Sequence, residues 1–211
     1  MEKQGIIDKI IKLKPFYYLS MRKGRFLYAP IKTSIFYFLV LFNQYSPVKI
    51  KIRAKTIFGD DIFGYSSAGI GTIYYLGFQD PRLSLFFMKN LNSGDIFIDI
   101  GANIGYYSIL SKYLVGHTGN VYSFEPTPRT FKILEKNTSE AKNIIINQVA
   151  VLDRKGSVSF TDYGPRYAVL NTFKKRVDKG LLKGKKTKTI KVKTIILDEY
   201  CKKHNYKNIL A

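Results

Sequence analysis

Asp99, Gly101, Asn103, Gly105 and Glu125 have the types and spacing that suit the binding of a small ligand. Gly101 to Gly105 (G-A-N-I-G) follows an almost wholly apolar run, Ile96 to Ile100, and precedes Tyr106, Ile109, Leu110 and Tyr113 at helical spacing. A glycine turn between strand and helix lets the backbone approach a ligand closely and aims the free N–H groups of the helix at it. Asp99, inside the strand end, can accept a hydrogen bond from a cationic amino group or orient the turn. Glu125 lies 20 residues after Gly105, at the end of the next apolar segment, Val121 to Phe124. A carboxylate there can accept both hydroxyls of a ribose, which favours an intact 2′-OH over a 2′-phosphate. Two plainer roles stand beside these: Asn103 as the N-cap of the helix, and Glu125 as an ordinary strand-end charge. The dinucleotide fingerprint is G-x-G-x-x-G, and this turn departs from it because Asn103 holds a central position.

The elements that must position these residues read as strand, glycine turn, helix, strand, from Gly94 to Pro126, with Gly116 closing the helix. Upstream, residues 1–45 read as a basic helical segment that Pro15 and Pro30 interrupt, with a second helix over Lys32 to Phe42. Residues 46–77 read as a small antiparallel unit. Val48 to Ile57 alternates apolar and basic, Gly59 to Asp61 turns, Ile62 to Tyr65 returns, and Thr72 to Leu76 is a further strand. Asp80-Pro81 precedes an amphipathic helix through Leu91. Residues 78–211 then form the main domain. Thr127-Pro128 starts a helix whose buried side is Phe131, Leu134 and Ala141. Ile144 to Val151 is a third apolar strand, Ser157 to Phe160 an extra one, and Thr189 to Ile196 another. Asp198 caps a short helix, and Lys207 to Leu210 begins one more strand.

At 211 residues and 45% hydrophobic content the chain can bury one sizeable core, which excludes a wholly disordered protein. Cys201 is the only cysteine, so no internal disulfide forms, and the reducing cytoplasm is the expected compartment. No metal ligands are assigned. The net charge is +20 and uneven: residues 174–193 carry ten Lys/Arg against Asp178, and the first 57 residues carry twelve against Glu2 and Asp8. Such blocks suit an anionic partner or a solvated surface. Met1 to Lys14 lacks the apolar core of a signal peptide, and Ile35 to Phe42 is far shorter than the ~20 residues that span a bilayer. That run reads as a buried helix, with peripheral membrane contact through the basic N-terminus as the alternative.

The stretches G-D-I-F-I-D-I-G-A-N-I-G-Y-Y-S (94–108), V-Y-S-F-E-P-T-P (121–128), N-Q-V-A-V-L-D-R-K-G-S-V-S-F (147–160) and T-I-I-L-D-E-Y (194–200) resemble the FkbM family of class I S-adenosylmethionine-dependent methyltransferases. Asp80-Pro81 is similar to the acidic-Pro pair upstream of the family's glycine turn, and the likeness covers about residues 77–211. The resemblance implies an α/β fold. A Rossmann-like parallel sheet flanked by helices is incomplete at its C-terminal side, and N-terminal helices and small antiparallel strands precede it. It also implies that Asp99, Gly101, Asn103 and Gly105 hold the methionine and ribose end of S-adenosyl-L-methionine. Glu125 takes the ribose hydroxyls, and Val149, Ala150 and Val151 flank the adenine. The family's next strand reads roughly I-K-I-D-V-E-G and brings an acidic residue towards the transferred methyl group; here the chain stops at Ile209-Leu210-Ala211, where that strand begins.

The expected reaction is O-methylation of a sugar, glycan or secondary-metabolite hydroxyl. The alternatives are a truncated, non-catalytic cofactor-binding or basic interaction protein, and a nucleic-acid methyltransferase. The last is disfavoured because no N/D-P-P-Y/F acceptor motif occurs. The catalytic base is unassigned, with Asp80 and His117 as candidates only.

Overall fold

The computed structural model describes residues 3–21, 29–45, 50–65, 70–162, 188–204, 206 and 209–210. The central element is a four-stranded parallel sheet in the order β5-β4-β3-β9. Its members are β3 (Ile96–Ile100), β4 (Asn120–Phe124), β5 (Ile144–Asn147) and β9 (Ile209–Leu210). In β3 and β4 Phe97 pairs with Val121, and Asp99 with Ser123. β9 pairs with Ile96 and Phe97, so the expected fourth strand begins in its place beside β3.

Both faces of this sheet are covered, as a parallel sheet requires. One face carries α5 (Tyr106–Val115) and α6 (Pro128–Thr138), whose Tyr106, Ile109, Leu110, Val115 and Ile133 join Phe97 and Val121 in one apolar core. On the other lies α7 (Leu197–Lys203), where Tyr200 packs edge-on against Phe124 with centroids 5.1 Å apart. Tyr206, just beyond α7, lies 4.5 Å from Tyr122. The alternation of Val121 and Ser123 with Tyr122 and Phe124 thus divides β4 between two helical layers.

The chain ahead of the sheet builds into the first of these layers. α1 (Lys3–Met21) and α2 (Pro30–Tyr45) precede a hairpin of β1 (Lys51–Lys55) and β2 (Asp61–Tyr65). Next come α3 (Ile70–Leu76) and α4 (Pro81–Asn90). Ile6 and Ile10 of α1, Phe36 of α2, Ile52 and Ile62 of the hairpin and Ile70 and Ile73 of α3 belong to the same apolar cluster as α5. A second, smaller sheet, β6-β8-β7, follows β5. Its strands β6 (Ala150–Val151), β7 (Gly156–Asp162) and β8 (Lys188–Ile195) enclose Ala150, Phe160 and Val192.

Several expectations are corrected. Pro15 does not interrupt α1: it lies within the helix on its solvent-exposed side. Pro30 starts α2, the position where a missing N–H costs nothing. Residues 70–76 form a helix instead of a strand: Ile70, Ile73 and Leu76 recur every third residue and bury one side together. The third apolar run breaks after Asn147, and Ala150–Val151 leaves to pair with β8. α6 buries Thr130, Ile133 and Leu134, leaving Phe131 at the margin and Ala141 beyond the helix end. Asp198 lies in the first turn of α7, while Ile196 is its N-cap. The basic segment 174–193 falls largely outside the described residues.

Candidate functional site

The site forms where β3 and β4 end side by side. The chain leaves β3 through Gly101, whose φ of +79° is the left-handed conformation that glycine adopts freely. Gly101 and Ala102 donate their N–H groups to the Phe124 carbonyl at 2.8 and 3.0 Å, which seats the turn on the end of β4. Nothing lies within 4 Å of where a Cβ on Gly101 would sit, so the space before the turn is open. Asn103 is also left-handed, at φ 52°, a conformation asparagine tolerates better than most residues. Gly105 has φ +90°, and a Cβ there would come 2.7 Å from Leu134 Cδ1 of α6. Gly105 therefore serves close helix packing, whereas Gly101 faces open space. Gly105, not Asn103, is the N-cap residue of α5.

Glu125 follows β4 directly and is 7% exposed. Its Oε2 accepts the Asn103 N–H at 3.1 Å and its Oε1 accepts the Thr127 N–H at 2.9 Å. The carboxylate thus ties the β3–α5 turn to the β4–α6 turn. Burial lifts its proton affinity above the usual glutamate range, and the Thr127 and Asn103 donors pull against that rise. The Thr127 hydroxyl donates to the same carboxylate, so Glu125 meets three donors from the two turns.

Asp99 plays a different part. It is buried on the α5 side of β3, where its Oδ2 accepts the Ser108 hydroxyl at 2.6 Å, and it also accepts the Ser108 backbone N–H. Ser123 of β4 donates to Ser108 Oγ at 2.8 Å, completing a buried chain across β4, α5 and β3. Gly105 has no side chain with which to cap α5, and Asp99 supplies that acceptor from the strand. Burial pushes its carboxyl up to about 6 despite the two Ser108 donors. Within the protein Asp99 therefore acts on the start of α5 through Ser108.

The remaining predicted positions lie further out. Ala150 is packed against Phe160 and Val192 in the small sheet, and Val149 is half-buried in the link before it. Asp80 is the N-cap of α4, accepting the Arg82 and Leu83 N–H groups at 2.8 and 3.4 Å and pairing with the Arg82 guanidinium at 3.2 Å. His117 follows the C-terminus of α5, about 15 Å of helix away from the glycine turn at 1.5 Å per residue. His117 is thus at the far end of α5 from the glycine turn, whereas the Asp80 N–H donates to the hydroxyl of Tyr107 in the first turn of α5 at 3.4 Å. Among the described residues no cluster of His, Cys, Asp or Glu could hold a metal ion.

Two residues of the site escaped the sequence reading. Asn137 of α6 donates from Nδ2 to the carbonyls of Ile104 (2.7 Å) and Phe63 (2.9 Å), and its Oδ1 accepts the Phe63 N–H at 2.9 Å. It staples the glycine turn and the β1–β2 hairpin to α6. The available signal was an asparagine inside a helix, where it costs helical propensity and so favours a tertiary role. Asn147, at the end of β5, accepts the Glu125 N–H through its backbone carbonyl at 3.0 Å. Its side chain belongs to the α7 side of the sheet, where Oδ1 accepts the Tyr200 hydroxyl at 3.4 Å and the buried Nδ2 has no hydrogen-bond partner in the protein.

An open left-handed glycine and a carboxylate that joins two turns at the next strand end fit a nucleoside-bearing cofactor. The parallel order β5-β4-β3-β9, with helices on both faces, is the Rossmann-like arrangement of class I methyltransferases. The Methyltransferase FkbM domain profile matches residues 99–210, so the chain belongs to that family, which uses S-adenosyl-L-methionine. No curated protein sequence matches significantly. Among solved structures, an S-adenosylmethionine-dependent O-methyltransferase from Thermotoga maritima is 22% identical, covering 49% of this chain and 43% of its own, with a TM-score of 0.33. An S-adenosylmethionine-dependent methyltransferase from Aquifex aeolicus is 19% identical over 33% of this chain and 42% of its own, at TM-score 0.29. Fibrillarin from Aeropyrum pernix, solved with natively bound S-adenosyl-L-methionine, is 15% identical over 49% and 58%, at TM-score 0.30. The chain thus spans 42 to 58% of the length of these three proteins, and the family assignment rests on the profile match.

Proposed function

We propose that this chain holds S-adenosyl-L-methionine at the Gly101–Glu125 edge for O-methylation of a hydroxyl on a sugar, glycan or secondary metabolite. The bound cofactor supplies an electrophilic methyl group on a sulfonium. Glu125 accepts the ribose hydroxyls. Gly101 gives the backbone room to approach the cofactor, and Asn137 and Asp99 hold the turn so that this approach is preformed. Preformed alignment of donor and acceptor is a large source of acceleration in a displacement reaction.

The observation that carries this reading is the Glu125 carboxylate, fixed by one N–H from each of the two turns it joins. Titration calorimetry with S-adenosyl-L-methionine tests it. Glu125→Gln is expected to weaken binding about 10- to 100-fold, the worth of one or two hydrogen bonds to a charged acceptor. Unchanged affinity overturns the ribose role. Incubation with methyl-tritiated cofactor and a panel of saccharides and phenols tests the acceptor class: label in alkali-stable methyl ether supports it, and label on nitrogen or nucleic acid overturns it.

A further inference from the structure

The outward side of α2 has no function in the reading above. Ile31, Ile35, Phe38, Leu41, Phe42 and Tyr45 are each 37 to 77% exposed. Five of them recur at intervals of four, three, four and three residues, which places them in one stripe along the helix. The opposite side carries Thr33, Phe36 and Asn43, all buried against the body of the protein. α2 is therefore amphipathic in the inverted sense: its most apolar side faces out. Scattered exposed apolar residues are ordinary, but a continuous stripe along a 16-residue helix marks an interaction surface.

The charges around the stripe select the partner. α2 contains no acidic residue. At its first turn opens a cleft of about 590 Å³ lined by Lys9, Lys32, Arg53 and Lys55, with the Tyr74 ring beneath the Lys32 ammonium at 5.8 Å. No acidic side chain lines that cleft, and Asp61 beside it is paired with the Arg53 guanidinium, so Lys9, Lys32 and Lys55 are the cations it offers to an outside anion. A second copy of this chain would bring the same cations to the same place, within a molecule of net charge +20. An anionic phospholipid surface instead offers phosphates to the cleft and an acyl boundary to the aromatic stripe. No helix among the described residues is long and apolar enough to cross a membrane, so α2 would lie in the plane of the interface.

We propose that α2 docks this protein on an anionic lipid bilayer, with the Ile31–Tyr45 stripe in the headgroup–acyl boundary and the Lys9/Lys32/Lys55 cleft on lipid phosphates. The proposal is independent of the methyl-transfer reading. Co-sedimentation of the full chain with phosphatidylcholine vesicles containing about one-third phosphatidylglycerol, against phosphatidylcholine alone, tests it. The anionic vesicles are expected to bind at least about tenfold more tightly, since each basic residue at the surface adds to affinity. The double variant Phe38→Ser/Tyr45→Ser is expected to lower that binding about tenfold while leaving the melting temperature unchanged, because both side chains are exposed. Lys32→Glu/Lys55→Glu is expected to abolish the preference for anionic lipid. Equal binding by wild type and the Phe38/Tyr45 variant overturns the proposal. So does a wild-type dimer, seen by sedimentation velocity, that this variant dissociates, because the stripe would then belong to a second copy. Failure to bind either vesicle overturns it outright.

Discussion

Replacing Asp99 by asparagine separates two effects that meet at this carboxylate: the cost of burying a charge, and the benefit of an acceptor at the start of α5. The shift of the Asp99 carboxyl from an ordinary 3.8 to about 6 is caused mainly by burial. It corresponds to about 3 kcal/mol of preference for the protonated form in the folded chain. The folded state thus binds this proton more tightly than the unfolded state, and stability falls as pH rises between about 4 and 6. Above that window Asp99 is ionised in both states and the whole penalty stands. Asp99→Asn keeps an oxygen for Ser108 but carries no charge, so the penalty and its pH dependence disappear together. Against that gain stand the lost attraction between a carboxylate and the N-terminus of α5, about 0.5 to 1 kcal/mol, and a buried amide donor that needs a partner, about 1 to 2 kcal/mol. The net effect at neutral pH is about 1 kcal/mol of stabilisation, and the difference in pH dependence is about 3 kcal/mol. The chain has 16 tyrosines and no tryptophan, so urea unfolding is followed by tyrosine fluorescence at several values between about pH 4 and 8. Subtracting the variant's curve from the wild type's cancels the other titrating groups. Parallel curves would refute the reasoning, because they mean Asp99 is solvated in the native state; so would a variant markedly less stable at neutral pH, because the ionised cap would then outweigh its burial.

Gly105→Ala places a Cβ at φ +90° and 2.7 Å from Leu134 Cδ1, and is expected to cost about 2 to 3 kcal/mol. Gly101→Ala meets no neighbouring atom and carries the backbone strain alone, about 1 kcal/mol, so denaturant midpoints should rank the two in that order. Asn137→Leu removes three hydrogen bonds and leaves the Ile104 and Phe63 backbone groups to find water, an expected loss of about 2 to 4 kcal/mol. Hydrogen exchange should then show faster exchange at the Phe63 amide, whose N–H the Asn137 Oδ1 accepts.

The legible parts of the fold were those whose pattern and local chemistry agree. The run Ile96–Ile100, the glycine turn and the helical spacing after it point to one strand–turn–helix unit, and Asp80-Pro81 couples an N-cap acceptor with a proline at the first helical position. The misread parts were decided by tertiary packing. Thr72, Ile73, Tyr74 and Tyr75 have strand-type side chains, yet Ile70, Ile73 and Leu76 bury together only as a helix. Ile144 to Val151 is continuously apolar apart from Asn147 and Gln148, and those two polar residues mark where the chain leaves one sheet for another. α2 was legible as a helix, but its apolar side was expected to be buried; the buried side is instead the one with Thr33, Phe36 and Asn43.

The two carboxylates of the site show what spacing alone leaves undecided. Asp99 and Glu125 were read together, as acidic groups near a ligand. On their strands Asp99 pairs in register with Ser123, and Glu125 is two residues beyond Ser123, so alternation assigns all three to the same side of the sheet. What divides their roles is depth. Asp99 lies one residue inside the end of β3, under α5, where Ser108 at the third helical position reaches it with both O–H and N–H. Glu125 lies one residue past the last ladder pair, Ile100 with Phe124, where the strands give way to turns and its partners are the N–H groups of those turns. A carboxylate within the ladder meets a helix and becomes its cap. A carboxylate just beyond the ladder joins two turns and becomes their shared acceptor. The distinguishing signal was present in the chain as Ser108, a donor nine residues after Asp99, which is three residues past the Gly105 N-cap of α5 and therefore in reach of an acceptor that Gly105 itself cannot supply.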